Sequence, residues 1–475
     1  MTAAQTASRR GAALPALRLD AAGARHIDMR VIAAMALPLV LNSTVQAVLN
    51  LTDTWFIGRL STSSTAAIAA IHWLALLAIF LIGGVAMGVQ TMAAQAFGAG
   101  RFRRASRVAW LGLWASVLTI PAFGLTVAVG PAMIRAFGLQ PDVETLAIEF
   151  WVPRMIGGPL AAALWAANAF FNGIGRTRVT LAVGLIVLGS NALLNEIFIF
   201  RFGWGMAGAA WATTAAELIG VAIAIRMILS AEPRFAPRLT WRPRIRRIVA
   251  LVMLGLPMAM TASADLGAAA LFQLMMVQYG VVDGAATQIV TIFTALAYMP
   301  GIGLALAGTT LVGQAIGAGD HGWAERLGNR VIAIVACYMG GVGIVIALVG
   351  DWLVPAFVNP ADPRAAEVIA LCSSLLWLAA AYQFFDGVNF ASAFCLRGAG
   401  DARVPALIVL ACGTLVFLPL THLLTFAPGE GWFDAAPGLG FGAVGGWYAI
   451  LVYVLLIGSA LWLRWKTGAW KRIRL

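Results

Sequence analysis

Four carboxylates stand well inside long apolar stretches of this sequence: Asp53, Glu217, Asp265 and Asp386. An ionised carboxylate at the centre of a bilayer costs about 2.5–3.5 kcal/mol on insertion scales, so each needs a cation, a proton or a buried donor. Asp386 lies in AAYQFFDGVNFA, with Tyr382 one helical turn earlier on the same face. A carboxylate with a phenol hydroxyl four residues before it can coordinate a bare cation through oxygen, or hold a proton in a hydrogen bond. Asp265, in MTASADLGAAALF, lies in a separate apolar stretch. Two acids converging in one apolar cavity repel each other and lose hydration, which lets one of them take up a proton near neutral pH. The competing reading has an acid satisfy a buried backbone group or face a water-filled crevice. It is strongest for Glu217 and for Glu196, near an outer helix end, because neither belongs to a pattern.

Other chemistry is scarce. No Ser/His/Asp set, zinc spacing or P-loop lysine is present, so an enzyme is not expected. His72, between Ile71 and Trp73, reads as a packing residue. The four cysteines lie in apolar stretches without CxxC spacing and read as small core residues, with neither disulfide nor metal implied.

The elements that must position the acids are membrane helices. Of 475 residues, 61% are hydrophobic and only 11% charged, where a soluble chain carries roughly a quarter charged. About 20 apolar residues cross a bilayer as a helix. Such stretches run at 31–57, 64–97, 108–135, 146–172, 179–200 and 206–229, then at 248–279, 284–317, 331–357, 366–396, 404–427 and 441–463. The expectation is an all-α membrane protein of twelve transmembrane helices. Its parts are a tail at 1–30, an N-lobe at 31–229, a linker at 230–247, a C-lobe at 248–463 and a basic tail at 464–475. Residues 1–30 are polar and basic, and no cleavable signal peptide is evident.

The net charge of +12 follows from topology. With both termini cytoplasmic, 27 of the 32 basic residues fall in inner segments, including Arg9, Arg10 and Arg474 in the tails, Arg397 in a loop, and seven from Arg226 to Arg247. Arg59, Arg135, Arg154, Arg201 and Arg364 remain outside, and none is expected mid-span. Attraction to anionic lipid accounts for this pattern without nucleic acid.

The chain is also written twice. TMAAQAFGAG from Thr91 returns 219 residues later as TLVGQAIGAG from Thr310, and Pro38 returns as Pro257 at the same offset. NGIGRTRVT from Asn172 pairs with RGAGDARVP from Arg397. Each copy has an even number of spans, so the lobes are expected to be related by a pseudo-twofold along the membrane normal. The glycine-rich phrase reads as a helix terminus at the cytoplasm, not a nucleotide loop. The copies differ where chemistry is expected, since Phe272 stands opposite Asp53.

These residues resemble the multidrug and toxic compound extrusion (MATE) family over nearly the full length. LNLTDTWFIGRLS is similar to that family's first-helix signature, and QAFGAGR, QAIGAGD and LRGAGDARVP to its glycine-rich loops. The C-lobe resembles the NorM-like bacterial branch, in which an acid stands eight residues after the seventh-helix proline. Asp265 stands eight after Pro257, although that branch usually carries Glu there. YQFFDGVN resembles the tenth-helix motif, and SNALLNEIF keeps Asn191 and Asn195 where a proton-linked branch has Asp at the second position.

The resemblance implies an alternating-access antiporter of the bacterial inner membrane, acting as a monomer, with no cofactor beyond a coupling Na+ or H+. Its cargo would be drugs or toxic organic cations. Asp265, Asp386 and Tyr382 would hold the coupling ion, as metal ligands if that ion is Na+, with Asp53, Asn191 and Asn195 in support. A lipid-linked oligosaccharide flippase of the same superfamily is the alternative, but its anionic cargo favours basic residues lining the cavity.

Overall fold

The computed structural model describes residues 14–358, 360, 362–432 and 438–473. Arg9, Arg10 and Arg474 lie outside them. Apolar runs become helices because a bilayer offers the backbone no other hydrogen-bond partners. Among the described residues eleven helices are long and apolar enough to span: α1 (Met29–Gly58), α2 (Thr62–Gly98), α3 (Phe102–Arg135), α5 (Thr177–Arg201), α6 (Gly205–Leu229), α7 (Ile245–Tyr279), α8 (Val281–Gly317), α9 (His321–Phe357), α10 (Ala365–Ala399), α11 (Arg403–Thr425) and α12 (Gly442–Lys466). The remaining span, α4 (141–173), is broken at Gly157 into Pro141–Ile156 and Gly158–Gly173. All twelve expected spans are therefore found. Capping side chains set several starts: Ser61 accepts from the Ser64 amide at 3.0 Å before α2, and Asp320 from the Trp323 amide at 2.8 Å before α9.

A small β-hairpin precedes α1, with β1 (Leu17–Leu19) antiparallel to β2 (Arg25–Ile27). The polar tail read from the sequence gave no sign of it, because three-residue strands carry no usable periodicity. Asp20 holds the turn, its carboxylate accepting from the Ala22 and Ala24 amides at 2.9 and 2.8 Å. The hairpin docks on the second lobe, where the Trp323 indole donates to the Pro15 carbonyl at 2.9 Å and Arg25 pairs with Asp320 at 2.7 Å. Both described chain ends lie here, since Ala16 and Trp470 share one apolar cluster; this is called the terminal end.

The two lobes exchange half-helices. Ile248 and Leu251 of α7 pack into the core of the first lobe, and Ile32 of α1 into that of the second. The crossings are tight: a side chain at Gly84 of α2 would strike Ala259 of α7, and one at Gly303 of α8 would strike the backbone of Val40 in α1. Both pairs sit at the 219-residue offset. Pro38 and Pro257 lie inside α1 and α7, two residues before each crossing, where each removes one helical hydrogen bond. Past the crossings each helix returns to its own lobe, α1 to α5 and α7 to α11 and α12.

The repeated glycine-rich phrase ends α2 and α8, as expected, and it does more. The Gln95 side chain donates to the Gly398 carbonyl at 3.0 Å, and its counterpart Gln314 donates to the Gly173 carbonyl at 2.9 Å. Thr91 donates to the Arg397 carbonyl at 2.8 Å, and Thr310 to the Asn172 carbonyl at 3.0 Å. Gly98 packs on the Gln314 carbonyl and Gly317 on the Gln95 carbonyl, so any Cβ at either position would collide. The phrase is a reciprocal seal between lobes. Among the described residues every interlobe hydrogen bond lies in the terminal half.

Candidate functional site

The expected site residues separate into two clusters, one per lobe. In the second lobe Asp386 is buried on α10. Its carboxylate accepts from the Tyr382 hydroxyl at 3.4 Å and from the Asn389 amide at 3.1 Å. The helix makes these contacts possible because positions 382, 386 and 389 share one face. Asp265 projects from α7, within electrostatic range of Asp386 and of Arg397. No donor among the described residues bonds its carboxylate. Tyr298 of α8 and Tyr453 of α12 also lie in electrostatic range of both acids. Tyr382 meets Trp447 edge-on at 6.2 Å, and Tyr298 meets Phe390 at 4.9 Å. The result is a cluster of two carboxylates, one amide and several phenol hydroxyls among aromatic rings.

In the first lobe Asp53 of α1 accepts from Asn195 at 2.7 Å and from Thr213 at 3.2 Å. Asn195 also donates to the Asn191 carbonyl oxygen at 3.1 Å, and Asn191 donates to Thr213 at 3.2 Å. Asn191 and Asn195 are fully buried, and the Asn195 side-chain oxygen has no partner. One turn below Thr213, Glu217 is met by both guanidinium nitrogens of Arg154 at 3.1 Å.

Sequence reasoning counted Arg154 on the outer side, within the expected span 146–172, and expected no basic residue mid-span. Arg154 lies in the last turn of the first half of α4, and its side chain is 16% exposed. Arg397, read as a loop residue, forms the last turn of α10. Arg397 was missed because a helix end drawn from hydropathy stops at the first charge, whereas here the helix runs on through Arg397 to Ala399. Glu196 is exposed and reaches neither cluster. His72 packs edge-on against Trp73 at 5.4 Å, as expected. The cysteines are all free; Cys372 and Cys395 are buried, whereas Cys337 is exposed.

Residues missed from sequence are Thr213, Asn389, Tyr298 and Tyr453. Asn389 was legible three residues after Asp386; the others come from distant helices and left no local signal. The two lobes differ structurally as they differ in sequence. Phe272, in the place of Asp53, packs on Phe417 at 5.9 Å, and Phe417 stacks on Tyr453 at 4.9 Å. An aromatic cluster fills the second lobe where the first has its amide network. The acid Asp265 lies seven residues earlier on α7, about 10 Å nearer the seal at 1.5 Å per residue.

The chemistry offered is cation binding. Oxygen donors from carboxylates, an amide and hydroxyls suit a small hard cation or a proton.

Known proteins match this chain closely. The MatE family model matches residues 38–197 and 248–423, most of the chain and one stretch per lobe. A probable multidrug resistance protein NorM from Rhizobium meliloti (strain 1021) is 30% identical over 453 residues, 91% of either chain. Another of that description, from Brucella suis biovar 1 (strain 1330), is 30% identical over 434 residues, covering 88% of this chain and 91% of the relative. Among solved structures, an outward-facing multidrug resistance MATE family transporter of the MOP superfamily superposes with a TM-score of 0.79 at 19% identity, covering 93% of this chain and 96% of that one. A MOP superfamily transporter from Pyrococcus furiosus, described as having a binding pocket of reverse polarity, superposes at 0.78 and 18% identity with the same coverage. At such identities the structural likeness speaks for the fold alone.

Proposed function

Because the chain belongs to the MatE family, we propose that it is a cation-coupled multidrug efflux antiporter that exports organic cations by alternating access. The family and the NorM relatives support transport of drugs. The observation that carries the cation-coupled reading is the pair Asp265 and Asp386, two acids of the second lobe within electrostatic range of each other and of Tyr298 and Tyr453.

The mechanism is exchange by competition. The terminal end, which carries the seal, is taken to face the cytoplasm of a bacterial inner membrane, as the basic inner segments favour. Asp265 and Asp386 take Na+ or H+ from outside, with the Tyr382 hydroxyl and Asn389 supplying neutral partners. The arriving cation displaces a bound organic cation from the same negative charge and from the surrounding rings, which otherwise favour it. With its charge cancelled, the pocket can pass the apolar barrier as the lobes rock and the seal opens. Inside, the ion leaves and the acids bind the next cargo cation. Asp53 and its amide network support the first lobe's outer half and add negative potential. The protein acts as a monomer among membrane lipids; its basic residues contact headgroups rather than nucleic acid, and no cofactor beyond the coupling ion is required.

A flippase for lipid-linked oligosaccharides would need an uncompensated cationic cavity to hold pyrophosphate. Arg154, the one basic residue in the first-lobe network, is neutralised by Glu217, which favours cationic cargo.

Efflux in reconstituted vesicles tests the reading, with a Na+ gradient and a pH gradient imposed separately. Asp386→Asn is expected to insert and fold yet lose ion-driven efflux of ethidium. Wild-type efflux rates from that variant would rule out the acid pair as the coupling site.

A further inference from the structure

The segments ahead of α1 and α7 dock on opposite lobes in corresponding ways. Ahead of α1 the hairpin rests on α9, with Arg25 on Asp320 at 2.7 Å. Ahead of α7 the linker rests on α3. Trp110 and Trp114 donate to the carbonyls of Pro237 and Trp241 at 3.0 and 2.8 Å, and the hydroxyls of Ser106 and Thr240 meet at 3.1 Å. At the 219-residue offset Arg25 corresponds to Arg244, and Asp320 to Arg101. Where one dock has an ion pair, the other has two arginines. Asp28, which caps α1, corresponds to Arg247, Trp323 to Arg104, and Arg326 to Arg107. These five positions carry no net charge in the hairpin dock and five positive charges in the linker dock.

Like charges gathered at one junction repel each other. The nearby acid of the linker, Glu232, is already shared by Arg176 and Arg234 at 2.6 Å each. Among the described residues Arg101, Arg107, Arg244 and Arg247 form no ion pair. The arginines border a cavity. A space of about 180 Å³ beside the seal is lined by Met92, Gln95, Arg101, Arg104 and Gly317, several times the ~30 Å³ share of one water molecule. The start of α7 adjoins it: Ile248, next to Arg247, packs in one apolar cluster with Ala105 and Val108 of α3. Arg247 accordingly lies within electrostatic range of both Arg104 and Arg107. Leu239, Trp241 and Ile245 are exposed beside these arginines, where α6 has left the bilayer and α7 enters it.

We propose that the linker dock is a binding site for the headgroup of an anionic phospholipid, whose phosphate bridges Arg101 and Arg104 to Arg244 and Arg247 at the start of α7. Guanidinium forks hold phosphate oxygens bidentately, and basic clefts between helices at the cytoplasmic surface suit such headgroups. The exposed apolar ledge gives the acyl chains a surface, which favours a lipid over soluble phosphate. The bound headgroup fastens the exchanged half of α7 to the first lobe, as the Arg25–Asp320 pair fastens that of α1 to the second. The site requires a membrane-spanning chain and is independent of the coupling ion.

The test titrates full-length protein in detergent with phosphatidylglycerol, with phosphatidylcholine and with inorganic phosphate. Bound lipid is counted by native mass spectrometry, and the thermal unfolding midpoint is followed alongside. Phosphatidylglycerol is expected to stay bound and to raise the midpoint by several degrees, as a ligand of the folded state does, whereas the other two do little. Arg101→Gln combined with Arg244→Gln should weaken phosphatidylglycerol binding roughly tenfold, the loss expected for charge-assisted hydrogen bonds. Arg178→Gln combined with Arg403→Gln removes two exposed charges outside the dock and should leave binding as in the wild type. Arg101→Asp rebuilds the pairing of the hairpin dock. It should raise the midpoint without lipid and abolish most of the gain from phosphatidylglycerol.

Wild-type binding by the Arg101→Gln, Arg244→Gln protein overturns the site, and so does an equal loss in the Arg178→Gln, Arg403→Gln protein. An equal response to phosphatidylcholine or to inorganic phosphate overturns the anionic lipid as occupant. If the double glutamine variant does not fold, Arg101→Asp decides, and a gain from phosphatidylglycerol as large as that of the wild type overturns the proposal.

Discussion

Glu217 and Arg154 form a buried fork of two 3.1 Å bonds, and removing one member strands the other. Arg154→Ala is expected to destabilise the protein by about 3–5 kcal/mol, the usual consequence of leaving one buried charge unpaired. Adding Glu217→Gln should recover a large part, read as thermal unfolding in detergent; no recovery would mean that Arg154 stabilises α4 by another route. Tyr382→Phe should be gentler. Its hydroxyl is 3.4 Å from Asp386, which keeps Asn389 at 3.1 Å. The ion concentration at half-maximal efflux is expected to rise a few-fold while ethidium affinity stays constant, and the reverse pattern would make the hydroxyl a cargo contact. At this scale the sequence was readable wherever a costly residue stood in apolar surroundings. Asp53, Asp265 and Asp386 announced themselves because a carboxylate in an apolar run needs a partner. Thr213, Tyr298 and Tyr453 did not, because hydroxyls are cheap to bury in a helix and common in apolar runs.

Whole helices were easier to find than their ends. Eleven of the twelve spans follow from apolar length alone; the twelfth, α4, is broken at Gly157 into two 16-residue pieces. What hydropathy could not supply was the close backbone approach of α2 to α8. Gly98 and Gly317 were legible as helix ends, with Gly100 and Gly319 at φ of 69° and 87° completing the turns. Their second duty, letting a carbonyl of the other lobe sit against the Cα, depends on a crossing the sequence does not state. Gly98→Val and Gly317→Val should each wedge the seal open. In inverted vesicles, a cysteine at Ser263, whose hydroxyl has no partner, should then react with maleimide several-fold faster. Unchanged labelling would show that α2 and α8 slide to absorb the side chain. The hairpin is an element of another kind, held by exposed charges. Asp20 is kept below its usual 3.8 chiefly by the Ala24 amide, with His26 next. A lowered acid contributes above its unfolded value and loses that contribution as pH falls through the folded one. Trp323 fluorescence should therefore report undocking only in strongly acidic solution.

For the molecule as a whole, the repeat and the charge asymmetry foretold two lobes in parallel orientation. If one proton or Na+ replaces one monovalent organic cation on the same acid pair, no net charge crosses the membrane. The potential, about 2.3 kcal/mol per charge per 100 mV, then does not drive the exchange. Ethidium efflux should proceed at the same rate with the potential clamped at zero or at about 100 mV, for a fixed ion gradient. A rate that rises with potential would require a second coupling ion, for which Asp53 and the unpartnered Asn195 oxygen are the available place.

The exchanged half-helices carry a consequence for how the chain is made. The first half of α1 rests on α8, and the first half of α7 rests on α2 and α3. During synthesis α1 leaves the ribosome long before its partner exists, and it must wait in the lipid with its terminal half unclaimed until α8 arrives. Neither six-helix half is then a finished folding unit. Two separately expressed halves, cut within the linker at 230–247, would have to assemble by swapping arms. That is also the arrangement expected of an ancestral homodimer whose subunits traded their first helices before one gene came to encode both.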